Sequence, residues 1–214
     1  MQFLYAGSHS WRRTAAGTAG PATAYTDSKG AMADLTIPRR ATYEDYCRFP
    51  DDGKRYEILD GQIHMTPSPS TPHQYASKRL QRILEDYFET KPSRLVFDAP
   101  LDVILADDDV VQPDLLVVER TQISKRGIEG PPLVLVEILS PSRIDYDRLT
   151  KARRYAARGV PHYWIVDPAA RTLQCFRLEA GGYVLEVSGD DLTELTVPSF
   201  SGLTVPLSSL WLNA

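Results

Sequence analysis

A mixed α/β fold, one domain with a central sheet flanked by helices, is what the sequence predicts, and three observations carry it. Residues 133–139 form an apolar run interrupted only by Glu137, the pattern of a strand covered on both faces. Over 72–90, Tyr75, Leu80, Ile83, Leu84, Tyr87 and Phe88 recur near helical spacing, with Lys78, Arg79, Gln81, Arg82, Glu85 and Asp86 largely opposite. That is an amphipathic helix. Asp60-Gly61, set between the strand-like stretches 55–59 and 62–65, is a hairpin signal, because a two-residue primed turn needs two residues that accept positive φ.

The remaining elements follow in order. Thr42, with Glu44 and Asp45 behind it, caps a short helix through Cys47 that Pro50 and Gly53 end. Strands are predicted over 95–97, 101–105 and 115–118, with the acidic triplet Asp107-Asp108-Asp109 as a reversing turn. A second amphipathic helix spans 146–158 and closes on Gly159, a residue suited to the left-handed C-cap. Next come a strand over 163–166 leading into Asp167-Pro168, and a late hairpin of 173–178 and 183–187 around Gly181-Gly182. The chain contains no internal repeat.

At 214 residues the chain suits one well-buried core, placed at 38–214. Residues 1–37, rich in Ala, Gly, Thr and Ser without either period, read as a disordered arm. Met32 near its end is a candidate translation start beside Met1. A net charge of −4 argues against a protein that coats nucleic acid through a basic surface. Arg148, Lys151, Arg153, Arg154 and Arg158 nevertheless make a local basic concentration able to meet phosphates. Cys47 and Cys175 lie outside any C-x-x-C spacing, so neither zinc nor a disulfide framework is suggested, and a reducing cytoplasm fits. No apolar run approaches the roughly 18 to 20 residues of a membrane span, so no membrane partner is expected.

Two carboxylates stand out. Asp114, in Gln112-Pro113-Asp114-Leu115, heads a strand-like segment, and Glu137 interrupts the apolar run. A buried, unpaired carboxylate costs several kcal/mol, so each calls for an arginine partner or a metal ion. The ordered set Arg55-Tyr56-Glu57-Ile58-Leu59-Asp60-Gly61, Gln112-Pro113-Asp114 and Val136-Glu137-Ile138-Leu139-Ser140-Pro141-Ser142 resembles the bacterial restriction-endonuclease-like family of the PD-(D/E)XK nuclease superfamily. The likeness continues through Asp147, Lys151, Tyr155, Gly159-Val160 and residues 163–168, and covers about 42–178. It implies a restriction-endonuclease-like α+β fold and an endonuclease that hydrolyses DNA phosphodiesters, with RNA as the alternative substrate. A homodimer that cuts both strands is implied by analogy.

Phosphodiester hydrolysis needs charge stabilised on phosphate oxygens and an activated water, and one hard cation serves both. Mg²⁺ takes oxygen ligands and keeps several waters, so Asp114 and Glu137, with a main-chain carbonyl near Ile138, suffice as protein ligands; Mn²⁺ would substitute. The superfamily usually carries a lysine two residues after the second acid, where this chain has Leu139. Asp147, Lys151 and Tyr155 stand at i, i+4 and i+8 on the second helix, so the expectation is that Lys151 reaches back as a relocated catalytic lysine with Tyr155 positioning it. The ordinary alternative is a solvated Asp–Lys pair with Tyr155 in the core. Glu57 is expected as a further acid at the rim, and His73 as a base or phosphate contact; an exposed strand residue and a helix-cap histidine are their plain alternatives. His9, His64 and His162 attract no role. Ser140 and Ser142 lack a Gly-x-Ser-x-Gly elbow and suit a phosphate-facing turn rather than nucleophilic chemistry. Trp164 reads as strand core, and Trp211 as cover for an edge or a partner. No Gly-rich phosphate loop or dinucleotide fingerprint occurs. Leu139 also motivates the competing reading of a catalytically idle binding module, and a phosphoesterase for another substrate is a third.

Overall fold

The structure, a computed structural model, describes residues 40–66, 68–140 and 150–212. The arm over 1–37, the first part of the helix expected at 146–158, and Ser142, Asp147 and Arg148 lie outside the described residues.

Helix α1 (Tyr43–Tyr46) starts in a capping box: the Asp45 N–H donates to the Thr42 hydroxyl, and the Asp45 carboxylate accepts from the Thr42 N–H. Strand β1 (Arg55–Leu59) turns through Asp60 and Gly61, at φ 54° and 71°, into β2 (Gln62–Thr66). A side chain at Gly61 would place its Cβ 2.9 Å from Arg40 Cβ, so glycine answers both the dihedral and the space. Helix α2 (Thr71–Phe88) is capped by Ser70 and buries Ala76, Leu80, Leu84 and Phe88 along one stripe. Then follow β3 (Arg94–Asp98), β4 (Val103–Ala106), β5 (Asp109–Val111), β6 (Leu115–Glu119), β7 (Ile123–Ser124), β8 (Gly127–Glu129) and β9 (Val134–Ile138). After α3 (Ala152–Ala157) come β10 (His162–Asp167), β11 (Thr172–Glu179), β12 (Gly182–Asp190), β13 (Glu194–Thr196) and β14 (Thr204–Pro206).

The strands assemble into two six-stranded mixed sheets, ordered β2-β1-β5-β4-β8-β7 and β12-β11-β10-β9-β6-β3, with β13 and β14 as a separate pair. The second sheet lies between two apolar layers. On one face Leu115, Val117, Val134, Val136 and Trp164 meet α2 and a C-terminal segment contributing Leu195, Phe200, Leu207 and Trp211. On the other, Leu116, Val118, Leu135, Leu139, Tyr163 and Ile165 meet Tyr155 of α3 and Leu59, Val103 and Val111 of the first sheet. At about 1.5–3 kcal/mol for each large side chain fully removed from water, these two layers hold the sheets and helices together.

The α+β class expected from the sequence holds, with a second sheet that periodicity did not reveal. The reversing turn is confined to Asp107 and Asp108; Asp109 begins β5 and is fully buried. Strands β5, β7, β8, β13 and β14 are two or three residues long, too short for a period of two to register. Trp164 and Trp211 are both core residues. Strand β11, one of the late strands, pairs with β10 of the same chain. Among the described residues no helix is long and apolar enough to cross a membrane.

Candidate active site

Register brings the two acids together. Antiparallel pairing of β6 with β9 sets Leu115 opposite Val136, which puts Asp114 across from Glu137 with both side chains on one face. That face is the one shared with Leu116 and Leu135, directed toward α3 and the first sheet. Glu57, two residues before Leu59 on β1, points into the same layer from the other sheet. The cleft between them holds about 40 Å³, room for a few waters, and is lined by Arg55, Thr66, His73, Gln112, Asp114, Glu137, Ser140 and Lys151 among others.

Each carboxylate has assigned donors. Asp114, whose side chain is 12% exposed, accepts from the Ile138 N–H at 2.7 Å and from His73 Nε2 at 3.0 Å. His73 Nδ1 is buried with no partner among the described residues, which fits the tautomer with its proton on Nε2. The ring reaches Asp114 because His73 sits in the first turn of α2, where Ser70 and Pro72 fix the helix start. Glu137, 4% exposed, accepts from Lys151 Nζ at 3.0 Å and from the Tyr155 hydroxyl at 2.7 Å. Glu57, 1% exposed, accepts from the Gln112 N–H at 2.8 Å and the Thr66 hydroxyl at 3.3 Å, and lies 3.3 Å from Lys151 Nζ.

Lys151 therefore joins an acid from each sheet while itself buried. It stands at the N-cap of α3, and Tyr155 follows one turn later on the same side. Burial, reinforced by the charge of Glu137, pushes the Tyr155 phenol well above its usual value, so it remains an O–H donor across the neutral range. Leu139, at the position where the superfamily usually has its lysine, packs in the apolar layer.

All six side chains singled out from the sequence, Glu57, His73, Asp114, Glu137, Lys151 and Tyr155, thus meet at one place. One expectation is corrected. Of the basic concentration at 148–158, Arg154 and Arg158 are engaged with Asp108 and Asp109, and Lys151 is buried between Glu57 and Glu137. Only Arg153 among its described members is exposed. The carboxylates that consume those guanidiniums lie 45 to 50 residues earlier, so no local pattern foretold the pairing. Arg55 and Gln112 stand in the quoted motifs but were given no role of their own, and Thr66 escaped notice, since a strand-end side chain carries no motif.

The fold with this constellation is of a nuclease-like class. The chain belongs to the Uma2 family: the family model, described as "Putative restriction endonuclease", matches residues 42–208. Among solved structures, the chain is similar to "a putative nuclease belonging to DUF820" from Anabaena variabilis ATCC 29413, with a TM-score of 0.65 and 20% identity over 79% of this chain and 96% of that one. That likeness is one of fold. No curated protein matches.

Proposed function

We propose that the protein is a metal-dependent endonuclease acting on phosphodiester bonds of DNA, with Mg²⁺ as its ion and Mn²⁺ as a substitute. The observation that carries this reading is the cross-strand placement of Asp114 beside Glu137 in a small polar cleft, with a buried lysine between Glu137 and Glu57. The donor chemistry suits such an ion: all the acids offer hard oxygens, and one or two carboxylates plus water satisfy Mg²⁺. Charge argues the same way. Among the described residues, Glu57, Asp114 and Glu137 outnumber the two cations of the place, Lys151 and Arg55, so net negative charge is left where solvation is poor.

Asp114 and Glu137 are the ligands in this reading. The bound ion would stabilise charge on the phosphate oxygens and acidify a ligated water. Lys151 supplies positive charge beside Glu137, the task of the lysine that Leu139 replaces. His73 fixes the rotation of Asp114, and Tyr155 that of Glu137, as outer partners do for ligating groups. Glu57 holds Lys151 in place from the opposite sheet.

The test is cleavage of supercoiled plasmid, linear duplex, single-stranded DNA and RNA with Mg²⁺, Mn²⁺ or EDTA, beside Asp114→Asn. Nicking or linearisation that requires the metal and disappears in the variant is expected. Equal results for both proteins under every condition would remove the proposal and favour an idle module, for which Mn²⁺ should also give no calorimetric heat that Glu137→Gln abolishes.

A further inference from the structure

We infer that Arg55 is the substrate-contacting cation of the cleft, a guanidinium fork that takes a backbone phosphate of the nucleic acid next to the reacting one; this rests on the nuclease reading. Arg55 stands two residues before Glu57 on β1, hence on the same face, and lines the cleft with Asp114, Glu137 and Lys151. It is half-buried, yet it makes no hydrogen bond or ion pair among the described residues.

That solitude is unusual in such company. Asp114 and Glu137 line the cleft and Glu57 stands behind Lys151, and each is committed elsewhere: Asp114 to His73 and the Ile138 N–H, Glu57 to Gln112, Thr66 and Lys151, Glu137 to Lys151 and Tyr155. Arg154 of α3 and Arg158 at its C-cap are spent on Asp108 and Asp109. A half-buried arginine has lost part of its hydration, and leaving its five donors idle is costly unless a ligand completes them. The planar fork matches phosphate oxygens in bidentate fashion. A polyanion approaching an acidic cleft also needs compensation at the point of entry, and Arg55 is the lining cation that no anion among the described residues holds.

The test uses the full chain and a fluorescein-labelled DNA duplex, with affinity measured in EDTA over a range of salt, and steady-state cleavage measured in Mg²⁺. Arg55→Gln is expected to weaken binding about tenfold or more, to lower the slope of log affinity against log salt by about 0.9, the value for one lost phosphate contact, and to raise KM more than it lowers kcat. Arg55→Lys should keep the slope and lose part of the affinity. Arg177→Gln, on β11 and paired with Glu179, changes the net charge equally and should leave the slope as it is. Thermal melts of each variant verify folding. An Arg55→Gln protein with unchanged affinity and slope overturns the inference, even if Asp114→Asn has abolished cleavage. A wild type that binds duplex through Arg55 but never cuts leaves the inference standing and removes the catalytic reading. A wild type that binds no duplex overturns the inference.

Discussion

Glu137 receives donors of two kinds, an ammonium and a phenol, and the two should fail differently. Tyr155→Phe keeps the packing against Tyr163 and removes only the hydroxyl. A hydrogen bond to a charged group contributes about 1.5–3 kcal/mol, and loss of an outer partner weakens metal affinity about 10- to 100-fold. The expected result is a modest fall in melting temperature with a clear loss of Mn²⁺ affinity by calorimetry; unchanged affinity would show that the hydroxyl does not orient Glu137. Lys151→Ala is harsher, because it removes the cation shared by two buried acids from different sheets. Removing one partner of a buried pair costs about 3–5 kcal/mol, so its melting point should drop by about 10 °C, and divalent cation should restore part of that drop. Activity lost in this variant is interpretable only beside that melt.

The short helix α3 carries Lys151 and Tyr155, and its last turns are tied to the first sheet. Arg154 donates to Asp109 and Asp108, Arg158 does the same, and Asp109 also accepts from the Asp60 N–H at the β1–β2 turn. Burial works to raise the Asp108 carboxyl, but the hydrogen bond from Arg40 and the charges of Arg158 and Arg154 outweigh it and hold the group below its ordinary 3.8. A carboxyl depressed in the folded state adds stability that is complete above the unfolded value and fades as pH falls through the folded one. The melting temperature should therefore decline on acidification below about pH 4, and Asp108→Asn should flatten that decline while lowering the plateau above it. Periodicity exposed α2 and β9, one eighteen residues long and the other almost wholly apolar, and the carboxylates at 114 and 137 were conspicuous against such surroundings. It could not expose β5, three residues beginning with an aspartate, nor the partners of Arg154, because contacts between distant segments leave no spacing to read. Lys151 lay between these cases: helical spacing placed it beside Tyr155, and only the sheet register showed which acids it meets.

At the scale of the molecule, the two sheets share one apolar layer that runs from Leu59, Val103 and Val111 to Leu135, Tyr163 and Ile165. The candidate site is set against that layer, with Tyr155 inside it, and Lys151 ties an acid of one sheet to an acid of the other. Working groups are more commonly carried on loops above a rigid scaffold, where they can loosen independently of it. Here the candidate site is sewn into the joint itself, so warming is expected to slacken it only as the halves part. Heat inactivation and loss of tertiary circular dichroism should trace a single curve; a protein that falls silent several degrees before it melts would mean the stitches give way separately from the cloth.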